Sequence, residues 1–183
     1  MVLPTQRSRH RDEALALMDG GGAILDTARD ISILIRGSTV SATVIGGVAV
    51  VLHGHWRSTK DIDILVDSEL TEFSNLLQNH GFVHDPNRRE FVRDEIPVHL
   101  VLPLQTGTTV KNIVEIEEIL TVDLPTLIEM KLRSGTTNFL RAQDLADVIG
   151  LIRCRKLTGE FARNLDRSLR PAFQKIVRAI ESD

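Results

Sequence analysis

Tyrosine is absent from these 183 residues, tryptophan occurs once and phenylalanine six times. The core must therefore be aliphatic, and there is little from which to build the exposed aromatic platforms on which single-stranded nucleic acids stack. Cysteine is as scarce: Cys154 stands alone, so no internal disulfide can form and a zinc site built on thiolates is excluded. That usage fits a reducing compartment, and the cytoplasm is the expected location. The longest apolar run, residues 48–52, falls far short of the ~20 residues a membrane helix needs, so no membrane partner is expected. Arg7, Arg9 and Arg11 have no apolar segment behind them, which is not the pattern of a secretory signal. An excess of one charge is also missing. With 22 Lys and Arg against 25 Asp and Glu, the net charge is −3, which argues against a DNA-coating protein with a concentrated basic face. Neither Gly-x-Gly-x-x-Gly nor Gly-Lys-Ser/Thr occurs, so the sequence supports neither a Rossmann nor a P-loop reading.

What is present is a 42% hydrophobic fraction, enough for one folded domain over 1–183. It divides into leading helices over 1–39, a sheet core over 40–122 and a helical part over 123–183, an α+β arrangement. The spacing predicts helices over 11–18, which the Gly20–Gly22 triplet stops, and over 23–35, with apolar residues on one face. A β-rich stretch over 40–45 runs into Gly46 and Gly47, and 48–52 reads as helical. Residues 61–66 alternate, with Asp61, Asp63 and Leu65 on one face and Ile62, Ile64 and Val66 on the other. Ser68 is placed to cap a helix over 69–80. A hairpin over 82–93 turning at 85–87, a strand over 98–102 closed by Pro103, and a strand then a turn over 110–119 follow. Asp123 can cap a helix with Pro125 in its first turn, ending near Gly135. A further helix is expected over 139–156, then a helical tail over 160–181 with a break around Pro171.

The most informative stretch is 44–67. A strand ends in two glycines and a helix starts directly after them, so backbone amides can approach a ligand and the helix start favours an anion. Asp61 and Asp63, two apart on a strand, point to the same face with Cα atoms ~6–7 Å apart. That spacing allows them to share one metal or bracket two, and the chemistry suits hard, oxygen-preferring Mg²⁺ or Mn²⁺. A phosphate cradle beside metal-binding carboxylates suggests nucleotide chemistry. Each half also has a plain structural reading, as a tight turn and as solvated acids, but the apolar flanks Ile62, Ile64 and Leu65 imply a packed strand on which unpaired acids are costly.

A second signal lies in the C-terminal helices. Leu124, Leu127, Ile128, Met130 and Leu132 share one broad face, and Lys131 falls near its middle. In the next helix Arg141 lies close to the centre of the apolar arc that includes Leu140, Leu145 and Val148. Asp144 lies well inside that arc and Asp147 toward its polar edge. Buried charges need partners, so Lys131, Arg141 and Asp144 either form an interhelical ion-pair network or line a polar cleft where Lys131 contacts phosphate and Asp144 orients it or Arg141. Arg57 and Lys60, near the glycines, are placed either to attract a triphosphate or as solvated loop charges. His53 and His55 read as a polar loop, with a metal pair the less favoured reading. The basic tail over 163–178 reads as a solvated face, with contact to an RNA acceptor the less favoured reading.

On Ile45-Gly46-Gly47 followed by Asp61-Ile62-Asp63, the sequence resembles the nucleotidyltransferase superfamily of the DNA polymerase β type, especially the small prokaryotic branch that includes the AbiEii-type toxins. Ala49, Gly54, Arg57 and Thr59 sit where that branch tends to place them. Lys131-Leu132 and Arg141-Ala-Gln-Asp144-Leu-Ala-Asp147 match its two later helices. The resemblance covers about 41–153, with a weakly matching gap over 68–122. It implies a mixed sheet flanked by helices and a nucleoside triphosphate donor such as ATP. Nucleotidyl transfer would go to a small-molecule, protein or tRNA hydroxyl, in a setting that can include toxin–antitoxin systems. Gly46, Gly47, Arg57, Thr59 and Lys131 would hold the nucleotide, Asp61 and Asp63 would ligate Mg²⁺, and Arg141 and Asp144 would support them. The family's third carboxylate, on a later strand, is missing: residues 96–101 offer His99, which can serve as general base or ligand. Asp94 or Glu95 would substitute if the register differed. The rival reading is a catalytically impaired nucleotide-binding regulator or antitoxin-like partner.

Overall fold

A computed structural model describes residues 22–67 and 69–183. The expected helix over 11–18, Gly20, Gly21 and the Ser68 cap lie outside the described residues. The chain opens on helix α1 (Ala23–Arg36), whose Ile24, Leu25, Ala28, Ile31 and Ile35 are buried on one face as their spacing requires. Strand β1 (Ala42–Ile45) is buried along its length and passes straight into the short helix α2 (Gly46–Leu52). Strand β2 (Ile62–Val66), helix α3 (Leu70–Asn79), the strands β3 (Val83–Asp85), β4 (Glu90–Arg93) and β5 (Ile96–Val101), and the one-turn helix α4 (Pro103–Thr106) follow. The hairpin β6 (Ile113–Ile116) and β7 (Ile119–Val122) completes a seven-stranded sheet of order β3-β4-β5-β2-β1-β7-β6. The sheet is mixed: β5 runs parallel to β2 and β7 parallel to β1, while the other neighbours are antiparallel.

Two apolar layers sandwich this sheet, and β2 shows why. Its Ile62, Ile64 and Val66 join α1 and α3 in one core, whereas Leu65 joins the C-terminal helices in the other. Asp61 and Asp63 share the Leu65 side, so the predicted alternation puts both acids beneath the C-terminal layer. That layer is built by α5 (Leu124–Thr137), α6 (Ala142–Arg155) and α7 (Arg170–Glu181). Asp123 caps α5 by accepting the Thr126 N–H at 3.0 Å, with Pro125 in the first turn as expected. Where α5 crosses α6, Gly135 leaves room for Leu145, whose Cγ lies 2.7 Å from where a Cβ would stand.

Several expected boundaries move, each for a local reason. The helix expected over 139–156 begins only at Ala142, because Phe139–Arg141 form a 3-10 turn whose Leu140 N–H is accepted by the Asn138 side chain. Leu140 therefore leaves the apolar arc and is 93% exposed, and Arg141 is exposed rather than buried. Asp147, expected at the polar edge, is fully buried because Arg57 and Lys131 meet it there. The tail breaks near Pro171 as expected: a 3-10 stretch (Gly159–Asn164) ends, residues 165–169 form a turn, and Pro171 sits in the first turn of α7, where its missing N–H costs nothing. Residues 110–119, read as strand then turn, hold strand β6 and the turn into β7. That hairpin and the β4–β5 hairpin turn on acidic pairs, Glu117-Glu118 and Asp94-Glu95, all four with positive φ. Two-residue hairpin turns need that conformation, but glycine or asparagine usually supplies it, and no such cue exists here. Asp94 and Glu95 are thus exposed turn residues, not strand acids that replace His99.

Candidate active site

Register alone assembles the first cluster. β2 pairs with β5 so that Asp63 stands beside His99. The β4–β5 ladder, which pairs Phe91 with Val98, brings Glu90 next to His99 on the far side. Asp63, His99 and Glu90 therefore form a row across three neighbouring strands, on the face beneath the C-terminal helices. His99 Nδ1 lies 3.6 Å from Asp61 Oδ2 and 3.6 Å from Asp63 Oδ1. Its Nε2 lies 3.1 Å from Glu90 Oε2, and because a carboxylate only accepts, Nε2 donates. Asp61 and Asp63 retain 41% and 29% side-chain exposure, while Glu90 retains only 9%. The Asp63 carboxylate beside the ring raises the His99 pKa to about 9 against the effect of partial burial, with Glu90 and Asp61 adding to the rise. At neutral pH the ring in this arrangement is an imidazolium among three acids.

The glycines make this packing possible. Gly46 has a φ of +68°, and a Cβ there would overlap the Asp63 carboxylate; one on Gly47 would overlap the Thr59 hydroxyl and lie 3.0 Å from Arg57 Nη2. Thr59 is buried and its hydroxyl hydrogen-bonds Asp61 Oδ1 at 3.4 Å. Of the residues expected to hold nucleotide, Gly46, Gly47, Arg57 and Thr59 thus converge on the two aspartates.

A second cluster joins the helices to this region. Lys131 Nζ lies 2.7 Å from Asp144 Oδ1 and 2.9 Å from Asp147 Oδ2. Arg57 approaches Asp147 with Nε at 2.7 Å and donates from Nη2 at 3.1 Å, and Gln143 donates to the same carboxylate at 3.0 Å. Burial alone would raise the Asp147 pKa, but Lys131, Gln143 and Arg57 outweigh it and hold the carboxyl below its ordinary value. The interhelical network anticipated for Lys131 and Asp144 therefore forms, with Asp147 and Arg57 as additional members. Arg141 stays outside it, on the rim.

Two clefts diverge from these clusters. One, of about 580 Å³, runs from Gly46 and Asp63 between α4 and α5, past Leu104, Met130 and Ser134. The other, of about 420 Å³, runs past Asp61 and Gly47 to Arg57, Thr59 and Lys60. Asp63, Lys131, Arg141 and Asp144 line both. Asp61 and Asp63 offer only oxygen donors and face the junction half-exposed, a donor set suited to Mg²⁺ or Mn²⁺. Among the described residues no three His, Cys, Asp or Glu side chains form a complete cage. A hard cation here would take its remaining ligands from water and substrate phosphate, the usual habit of Mg²⁺.

Other candidates have structural roles. His53 is buried against the Val122 carbonyl, 2.8 Å from Nε2, and burial lowers its pKa. The His55 ring fills the space beside Gly150 on α6, so the two histidines do not form a metal pair. Cys154 is exposed, with its thiol pKa raised rather than lowered by its surroundings. Glu90 is the site residue that sequence reasoning missed. No helix among the described residues is long and apolar enough to cross a membrane.

No protein-family model matches the chain, and no curated protein sequence does. Among solved structures it is similar to an antigenic nucleotidyltransferase-like protein from Paracoccidioides brasiliensis, with 15% identity, 85% coverage of each chain and a TM-score of 0.52. It is also similar to a nucleotidyltransferase candidate from Thermotoga maritima, with 19% identity over 67% of this chain and 89% of that one and a TM-score of 0.49. A tRNA-processing enzyme matches at 16% identity over 85% of this chain and 47% of its own, with a TM-score of 0.41. At these identities the likeness is one of architecture. The α+β mixed sheet flanked by helices is a nucleotidyltransferase-like fold, as the 44–67 segment led us to expect.

Proposed function

We propose that the protein is a nucleotidyltransferase that moves a nucleoside monophosphate from a nucleoside triphosphate, ATP being the first to test, to an acceptor hydroxyl. The observation that carries this reading is the pair Asp61 and Asp63 at the junction of two clefts, one of them walled by Gly47, Arg57 and Lys60. In that cleft Lys60 and Arg141, cations outside the neutral Lys131–Asp144–Asp147–Arg57 cluster, suit a triphosphate, and the second leaves an approach to the α-phosphorus from another side. The acceptor oxygen attacks the α-phosphorus, the bond from that phosphorus to the oxygen bridging to the β-phosphate breaks, and pyrophosphate departs. The hydroxyl proton passes to His99 Nδ1, which faces the carboxylate pair. A divalent cation held by Asp61 and Asp63 would stabilise charge on the α-phosphate and the leaving pyrophosphate, and would offset the carboxylates that otherwise keep His99 protonated. Positioning and electrostatics then supply most of the rate. We place the acceptor among small molecules, proteins and tRNA, and a toxin–antitoxin setting in the cytoplasm is the expected context.

One observation favours a second reading. A histidine paired with Asp61, Asp63 and Glu90 stands where a third carboxylate was expected, which also suits a nucleotide-binding regulator without transferase activity. Thermal unfolding with each of the four nucleoside triphosphates, with and without Mg²⁺, tests binding in the wild type and in Asp61→Asn/Asp63→Asn. Triphosphate labelled on the α-phosphate then tests transfer. Mg²⁺-dependent stabilisation lost in the double variant, with label appearing on an acceptor, is the expected result. Stabilisation without transfer in the wild type or in His99→Asp would favour the regulator, and no stabilisation by any triphosphate would overturn both readings.

A further inference from the structure

Glu90 is a buried acid with no part in the reading of the sequence. It stands on β4, one strand beyond His99, and is 7% exposed. Its carboxylate reaches the exposed Arg88 only at 3.6 Å, whereas it accepts from His99 Nε2 at 3.1 Å. A buried carboxylate is costly unless a specific interaction repays its desolvation, and packing alone would be served by an apolar side chain. The geometry of the ring says what Glu90 does. With Nε2–H committed to Glu90, a ring flip would break that bond, and Nδ1 is the nitrogen left facing the two aspartates. It stands 3.6 Å from both Asp61 and Asp63, outside hydrogen-bond range of either.

We propose that Glu90 is a positioning residue that acts through His99: it fixes the imidazole with Nε2–H bonded and Nδ1 turned to the Asp61–Asp63 pair. The arrangement follows the logic of a carboxylate that orients a histidine whose other nitrogen handles the proton. The inference rests on the transferase reading for its kinetic consequence, but the pairing itself is a property of the ligand-free protein.

The test uses Glu90→Gln, close in shape and without the charge, in the wild-type and His99→Asp backgrounds. In ¹⁵N-histidine-labelled ligand-free protein at fixed pH, the His99 ring signals are expected to move in Glu90→Gln while those of the other histidines stay. In transfer assays kcat is expected to fall ~10–100-fold with KM for the triphosphate within about twofold, and this loss is expected to vanish when position 99 is Asp. Unmoved His99 signals overturn the pairing, and an equal loss in both backgrounds makes Glu90 merely structural. Absence of transfer in every form, with the His99 signals still moving, overturns the proposed function and the kinetic role while leaving the pairing intact.

Discussion

Two charged clusters stand a few side chains apart and are built on opposite principles. Around His99 three carboxylates face one imidazolium, and two of them, Asp61 and Asp63, are part-exposed and line the clefts. Around Asp147 two carboxylates face Lys131 and Arg57, and Asp147 has no exposure at all. The second cluster is neutral as a unit and needs nothing from outside. The first has an excess of negative charge that only an arriving cation can offset. Local charge balance therefore separates scaffold from site here, although both clusters are made of the same residue types.

Asp147→Ala should have the largest effect on stability. It strands Lys131 and Arg57 with one carboxylate fewer in the interior, a loss of about 3–5 kcal/mol measurable by urea unfolding. Asp61→Asn should unfold within ~0.5 kcal/mol of wild type, and Asp63→Asn should cost about 1 kcal/mol at neutral pH, because it removes the chief partner of the protonated His99. Equal destabilisation of both clusters would break the comparison. The same two variants combined should remove the Mg²⁺-dependent stabilisation by triphosphate. That stabilisation amounts to ~2.7 kcal/mol at a ligand concentration of 100 times Kd and reads as a shift in Tm.

pH should separate the clusters by sign. The His99 pKa is raised to about 9, so its contribution to stability is complete below the ordinary histidine value and is lost as pH rises through about 9. Solvent screening reduces the loss to about 1 kcal/mol between pH 6 and pH 10, and His99→Gln should not show it. The Asp147 pKa is lowered, so its contribution is present above the ordinary carboxylate value and is lost as pH falls below it. Unfolding midpoints across the pH range check both limbs. The smallest effect is expected for Arg141→Gln, which should change stability by less than ~0.5 kcal/mol because that side chain is exposed. Lys131→Gln, which leaves Asp144 and Asp147 without their shared cation, should cost several times more.

The sequence made the local features legible. Alternation over 61–66 put Asp61 and Asp63 on one face, and helical spacing put Lys131 among apolar neighbours. Both patterns follow from geometry within a single element. Arg141 was misplaced because Asn138 starts a 3-10 turn that resets the phase of the helix before Ala142. Glu90 escaped notice because its contact with His99 depends on the pairing of two strands. Recognition of Asp94-Glu95 as a two-residue turn would have revealed it, since Arg93 opposite Ile96 puts Glu90 opposite His99. The acidic pair instead fell in the unassigned gap between the strands expected over 90–93 and 98–102.

That turn has a consequence of its own. Strand faces alternate with every residue, so one inserted or deleted residue in a tight connection reverses which side chains meet across the pair. Arg93 closes the turn three positions from Glu90, at ~3.4 Å per residue some way from the cleft. Its length nevertheless decides whether the ring of His99 finds a carboxylate or an apolar neighbour. Asp94 and Glu95 thus work as a spacing gauge, and a change in loop length there would alter the chemistry without touching a residue of the site.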